Sequence, residues 1–357
     1  MKKHAIIPIF IPHRGCPNDC VFCNQRKITA RQNDVTPESA RQTIETWLTT
    51  LGSVETVEIA FFGGSFTGIP LEEQSAFLAL AKEYKDAGQI HQIHLSTRPD
   101  YINEEILDNL QHYTVDVVEL GVQSLDDAVL LASGRGHTAE AVYRAAERIK
   151  ARGITLGIQL MVGLPGSTLE TEVFSAVETV RIAPAIARIY PTVILPETEL
   201  YEMYARGQYI PLSEEDAVHR TKAMYRILDE AGINIIRVGL KSSDIMTDST
   251  EGGAANTFHP AFRQLVEGAI ARDQLEEQLA DLPEGTDHVW FVSTEKNRNT
   301  LFGHKSSNKA YFAEKYPQLD IEYITSQQAG IEQNDGQYAV IIPDSPTNYV
   351  CEKERLK

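Results

Sequence analysis

The sequence predicts an α/β protein, an open, partial (β/α)6 barrel with a small C-terminal α/β appendage. Strand-like and helix-like stretches alternate with a period near thirty residues, the rhythm of βα units on a mostly parallel sheet. About six such units are complete by Ile194, too few for a closed eight-stranded barrel. Each strand also runs into a polar or Gly-rich cluster, and folds of this kind carry their working loops at that end.

The first strand is Ala5–Ile11. Thr36-Pro37 then opens a helix, with a capping hydroxyl before a proline that suits the first helical position. That helix sets Ile44, Trp47, Leu48 and Leu51 on one face. Val57, Ile59 and Phe61 alternate into Gly63-Gly64 as the second strand. Four more strands follow at Ile90–Leu95, Val115–Leu120, Ile154–Val162 and Ile186–Leu195. Between the fourth and fifth, Thr138 is placed to cap a helix carrying Val142, Ala146 and Ile149 that stops before Gly153. A tyrosine-rich helical stretch, a helix from near Ser213 with Met224, Ile227 and Leu228, and a strand at Ile233–Leu240 complete the core. The polar, Gly-rich segment from Lys241 to Asn256 marks a boundary, which divides the chain into 1–240 and 241–357. Beyond it lie a helix, strands at His288–Val292, Ile321–Ile324 and Tyr338–Ile342, and a helix around Lys309–Lys315.

With 33 Lys and Arg against 50 Asp and Glu, the net charge of −17 opposes phosphate over the surface as a whole and confines any nucleic-acid contact to a local patch. No apolar stretch approaches the roughly 20 residues a membrane helix needs, and the run from Ala5 to Pro12 is short and holds two prolines. Gly15-Cys16 follows His13-Arg14 where a lipoprotein site would have small apolar residues. A cytoplasmic protein without a membrane partner is therefore expected.

Three of the four cysteines, Cys16, Cys20 and Cys23, fall in one CxxxCxxC run, which favours metal ligation over a disulfide framework. With His13 as a fourth ligand the loop could hold a structural zinc. Three cysteines alone suit a 4Fe-4S cluster with one open iron. Cys351 could in principle complete the cluster set, but it sits in a charged terminal run where an incidental thiol is expected.

With Phe22 just before the last cysteine, this loop resembles the signature of the radical S-adenosylmethionine superfamily, and the resemblance continues through the strand-end motifs to about residue 240. It implies that S-adenosylmethionine chelates the open iron and is cleaved reductively to a 5′-deoxyadenosyl radical, which takes hydrogen from a substrate. An electron donor such as flavodoxin or ferredoxin is implied as a partner. By the same resemblance, Gly63-Gly64-Ser65 meets the methionine amino group, with Ser65 contributing backbone. Gln123 and Arg135 match ribose and carboxylate contacts of the coproporphyrinogen-oxidase-like branch, and a guanidinium is shaped to fork onto a carboxylate. Gln159 stands where relatives place a ribose-binding Asp, and Ser96 where they often carry Glu. Taken without the resemblance, Gly63-Gly64 is a strand-to-helix turn and Arg135 a solvated arginine beside a helix start.

Ser96-Thr97-Arg98-Pro99-Asp100-Tyr101 and Arg188-Ile189-Tyr190-Pro191-Thr192 look like the catalytic subunit of elongator, which modifies the wobble uridine of transfer RNA. The last hundred residues lack the length and pattern of an acetyltransferase domain, so the resemblance covers the radical core and leaves acetyl-coenzyme A chemistry unsupported. The substrate is open, with transfer RNA the first candidate. A rival reading is a haem or cluster carrier on the same fold. Lys296, Arg298, Lys305, Lys309 and Lys315 interleave with Phe302, Tyr311 and Phe312, a pattern that serves either RNA contact or a packed core. His259 and the tyrosines Tyr190, Tyr201 and Tyr204 are further cavity candidates, each with a purely structural alternative.

Overall fold

The computed structural model describes residues 4–11, 16, 20–24, 35–240 and 259–343; His13 and Cys351 lie outside this set. The chain divides into two compact units, Met1–Pro260 and Ala261–Lys357.

The first unit is built on one open sheet of seven strands paired in chain order. These are β1 (His4–Ile11), β2 (Thr56–Gly63), β3 (Gln92–Thr97), β4 (Val117–Gln123), β5 (Thr155–Val162), β6 (Ile186–Pro191) and β7 (Asn234–Val238). Every pairing is parallel. The partial barrel expected from the sequence is present, and the segment expected at Ile233–Leu240 extends it as a seventh strand.

Helices α1 (Pro37–Thr50), α2 (Leu71–Asp86), α3 (Glu104–His112), α4 (Asp127–Ala132), α5 (Ala139–Ala151), α6 (Leu169–Ile182), α7 (Glu199–Ala205) and α8 (Glu214–Glu230) form the connections. The strand period of two sends Ile7, Ile59, Phe61, Leu95, Leu120 and Ile158 into the apolar layer, all at most 1% exposed. Phe61 meets Phe77 of α2 edge-on, with centroids 5.9 Å apart. Burying each such side chain stabilises the fold by about 1.5–3 kcal/mol.

Local signals act mostly as the sequence predicts. Thr36 and Ser39 form a reciprocal capping box at α1, with Pro37 at its first position. Helix α5 stops before Gly153, whose φ of 70° suits glycine. Thr138 occupies the cap position of α5, but its side chain makes no capping bond. Asp127 takes that role, accepting the Ala139 N–H at 2.8 Å from twelve residues upstream.

The second unit pairs β8 (His288–Ser293) with β9 (Asp320–Thr325) in parallel and with β10 (Ala339–Ile341) antiparallel. Helices α9 (Phe262–Leu279), α10 (Arg298–Phe302), α11 (Ser307–Lys315) and the single turn α12 (Ser326–Ala329) accompany the sheet. Phe291 and Phe312, both fully buried, pack edge-on at 4.8 Å.

Candidate functional site

The cysteine loop follows β1 and is anchored by backbone on both sides. The Val21 N–H donates to Ser133 O at the end of α4, and the Leu200 N–H of α7 donates to Val21 O. Within the loop, the Cys23 N–H closes a turn onto Cys20 O at 2.9 Å. Phe22 packs with Ile194, Leu200 and Tyr209, so its ring braces the loop from the α7 side. Cys20 is buried, whereas Cys16 and Cys23 are partly exposed. Among the described residues no three His, Cys, Asp or Glu side chains converge tightly enough for a single metal ion. A cubane cluster asks for less convergence, because each cysteine binds a different iron.

The ends of β2 and β3 are tied together beside Cys16. Gly63 has φ of 110°, and a Cβ there would come within 2.9 Å of Ile11 O, so only glycine allows this approach of β2 to β1. The Gly64 N–H donates to Ile11 O. Ser65 is 1% exposed; its hydroxyl bonds Thr97 Oγ1 at 2.9 Å and accepts the Arg98 N–H at 3.0 Å. The serine side chain is therefore committed to β3, and its backbone N–H reaches the Cys16 sulfur. Burial pushes the Cys16 thiol up, with neighbouring Cys20 adding to it, while the Arg98 and Arg135 guanidiniums pull it back.

The end of β4 supplies the other half. A bulge between Gly121 and Gln123 carries Gln123 into the left-handed region at φ of 71°. Such a conformation in a non-glycine residue costs about 1–3 kcal/mol and gathers at functional sites. Arg135 donates from Nη1 to Cys20 Sγ at 3.1 Å and from Nη2 to Gly121 O. A Cβ on Gly121 would lie 3.2 Å from Gln123 Nε2 and 3.6 Å from Arg135 Nη2, so the three residues share one small space. Four buried atoms here lack a hydrogen-bond partner among the described residues: Gln123 Oε1, Arg135 Nε, Arg98 Nη1 and His137 Nε2. Buried polar atoms are rarely left unpaired, and four together call for a further partner such as water or a polar ligand. His137 is held neutral, its pKa lowered to about 4 by burial first and by Arg135 and Arg98 next.

Below this rim, the inner face of the sheet carries a nearly closed ionic layer, in which His94 Nε2 is the one fully buried side-chain atom of Glu58, His94, Glu119, Gln159 and Arg188 that lacks a hydrogen bond of good geometry. Glu119 is fully buried, and Arg188 grips it with Nε at 2.7 Å from Oε2 and Nη2 at 2.7 Å from Oε1. His94 Nε2 pairs with Glu119 Oε1 at 2.7 Å, and its Nδ1 lies 3.3 Å from Glu58 Oε1. Gln159 donates to Glu119 Oε2 at 2.9 Å and to Ser96 Oγ at 3.3 Å. Burial opposes ionisation of Glu119, yet the His94 contact and the Arg188 charge hold its pKa down at about 2. Burial likewise opposes the His94 charge, but Glu119 and Glu58 raise its pKa above the ordinary value. Gly157 makes room for this layer, since a Cβ there would stand 2.6 Å from Glu119 Cγ.

Residues 10–175 match the radical SAM superfamily profile and residues 184–272 the radical SAM C-terminal domain. The chain belongs to the radical SAM superfamily. It is 27% identical over 255 residues to the tRNA uridine(34) acetyltransferase of Methanocaldococcus jannaschii, covering 60% of this chain and 47% of that one. It is 27% identical over 293 residues to elongator complex protein 3 of Schizosaccharomyces pombe, covering 66% and 53%. The chain thus spans about half the length of these curated relatives. Among solved structures, Methanocaldococcus infernus Elp3 lacking its N-terminal segment superposes with a TM-score of 0.56 at 22% identity, over 71% of this chain and 64% of that one, a likeness of fold. The chain is a radical SAM enzyme, and its family implies a 4Fe-4S cluster and S-adenosylmethionine.

As a radical SAM chain, it places most of the expected site residues in three groups, with Cys23 tied by its backbone to Cys20. Cys20, Gln123 and Arg135 meet directly; Cys16 meets Ser65 beside Gly63 and Gly64; Ser96 and Gln159 meet one level lower, on Glu119. Phe22 joins the apolar packing around Leu200. Glu58, His94, Glu119, Arg188, Arg98 and His137 join the site only through the structure. A signal existed, because Glu58, Glu119 and Arg188 are lone charges inside otherwise apolar strands. Among the described residues no helix is long and apolar enough to cross a membrane.

Much of the basic and aromatic stretch of the second unit makes contacts within that unit, although Lys296 and Lys315 remain exposed. Lys315 pairs with Glu276 and Lys296 with Asp335. Lys309 Nζ sits 3.9 Å over the Phe302 ring, and Phe312 is fully buried. The packed-core alternative accounts for these aromatics.

Proposed function

We propose that this chain holds a 4Fe-4S cluster on Cys16, Cys20 and Cys23, binds S-adenosylmethionine across the ends of β2 to β5, and abstracts hydrogen from a substrate at the barrel mouth. Transfer RNA is the first candidate substrate, because the matched relatives include a tRNA uridine(34) acetyltransferase. The observation that supports the reading is the contact of Arg135 with Cys20 beside the unpaired Gln123 Oε1, as a shared space for a cluster ligand and cofactor contacts would require. When bound, the reduced cluster and S-adenosylmethionine supply the 5′-deoxyadenosyl radical.

The chain's own residues do the positioning. Gly63 and Gly64 leave main-chain carbonyls open to the methionine amino group. Arg135 offers its spare Nε to the carboxylate, and Gln123 offers an acceptor to a ribose hydroxyl. Gln159 has its amide N–H groups engaged by Glu119 and Ser96, which leaves its carbonyl oxygen free for ribose in place of the aspartate of relatives. The neutral amide keeps the acceptor, and Glu119 supplies the negative charge one layer deeper.

Anaerobic reconstitution should load about four irons per chain, and changing all three cysteines to Ala should abolish that loading. The loaded protein should release 5′-deoxyadenosine with S-adenosylmethionine and a strong reductant, and release more with bulk transfer RNA. A cluster-loaded protein that forms none under these conditions would be a carrier. Zinc in place of iron would support a structural site.

A further inference from the structure

We propose that Arg98 is a fixed positive charge set against the cluster site, a positioning residue that raises the reduction potential of the iron–sulfur centre. The inference rests on the cluster assignment above.

Arg98 follows β3 directly and is 4% exposed, a rare burial for a guanidinium. Its Nε and Nη2 each donate at 2.9 Å to Asp100, whose side chain is 29% exposed. Its plane lies 5.9 Å from the Tyr101 ring centroid. The Arg98 backbone N–H is fixed by Ser65 Oγ, the same residue whose N–H reaches the Cys16 sulfur. Nη1 is buried without a partner among the described residues. The charge is felt by both Cys16 and Cys20. Arg135, on Cys20 Sγ, is a second guanidinium, and neutral His137 adds no charge of its own.

Structural anchoring alone would explain the Asp100 fork, but not a third guanidinium nitrogen left buried and unpaired in a residue that acts electrostatically on Cys16 and Cys20. A cluster on three thiolates gains one further negative charge when reduced. A cation fixed in a poorly screened interior stabilises that extra electron more than it stabilises the oxidised state. Asp100 offsets part of this from the solvent side, where screening weakens it.

The test is the midpoint potential of the reconstituted cluster, read by EPR-monitored redox titration in wild type, Arg98→Gln, Arg98→Lys and Asp100→Asn at matched iron content. Arg98→Gln should shift the reduction equilibrium at least tenfold toward the oxidised state, about 59 mV for one electron. Arg98→Lys keeps the charge and should stay within that interval. Asp100→Asn keeps the guanidinium, removes its counter-charge and should raise the potential. An unchanged potential in Arg98→Gln, or an equal fall in Arg98→Lys, would overturn the proposal. If Arg98→Gln takes up no iron, the direction of the Asp100→Asn shift decides. A wild-type protein that loads no cluster would instead sink the underlying assignment.

Discussion

Two polar regions lie on the inner side of the same sheet, and they are built in opposite ways. The Glu119 layer is nearly closed: Arg188 and Gln159 donate to the carboxylate at 2.7–2.9 Å, and His94 Nε2 pairs with it at 2.7 Å, although not in hydrogen-bond geometry. The rim above it is open, with Gln123, Arg135, Arg98 and His137 each keeping a buried atom unpaired. Low dielectric makes a satisfied network rigid and an unsatisfied one costly. The first arrangement therefore reads as scaffold, and the second as a site whose last partners come from a ligand.

That contrast predicts opposite responses to mutation. Glu119→Gln should be the most damaging change, because it leaves Arg188 as an uncompensated buried charge and His94 with Glu58 as its remaining carboxylate; a loss of about 3–5 kcal/mol is expected in chemical denaturation. Gly157→Ala attacks the same layer sterically and should cost about 1–3 kcal/mol by overpacking against Glu119 and Ile186. Arg135→Ala should barely change the denaturation midpoint yet weaken S-adenosylmethionine binding about 10- to 100-fold by equilibrium dialysis, the value of one or two charged hydrogen bonds. A large stability loss in Arg135→Ala with unaltered binding would reverse the assignments of scaffold and site. At the small end, Lys315→Ala in the second unit should leave the Tm unresolved from wild type, since its contact with Glu276 is exposed.

The closed layer also fixes a pH signature. Glu119 is depressed to about 2, so its contribution is complete above its ordinary value near 4.5 and is lost as pH falls toward 2. His94 is raised, so its contribution is complete below 6.5 and fades as pH rises through its folded value. A plot of Tm against pH should fall on both sides of a plateau between these limits. Glu119→Gln should flatten the acid limb.

The same contrast explains what was legible in the sequence. The rim is written in contiguous signals: three cysteines in eight residues, Gly63-Gly64, and Gln123 and Arg135 in one stretch. Close spacing along the chain survives without a structure, so their placement at strand ends could be expected. The closed layer draws one residue from each of several strands, and only the parallel register, with Ala60 beside His94, Ser96 beside Glu119 and Gln159 beside Arg188, brings those rows together. Asp127 reaching the start of α5 in place of Thr138 is a smaller case of the same kind, a tertiary contact replacing a local one. In the second unit, alternating basic and aromatic residues serve equally for an RNA surface or a core, and only burial shows that Phe312 belongs to the core.

The central claim is that the open rim is the S-adenosylmethionine site of a cluster on Cys16, Cys20 and Cys23. Its most direct test is the EPR spectrum of the reduced, reconstituted protein before and after addition of S-adenosylmethionine. The account predicts that the cofactor changes the g-values in wild type, and that the change is lost at the same concentration in Arg135→Ala of equal iron content. A wild-type spectrum that S-adenosylmethionine leaves untouched would contradict it.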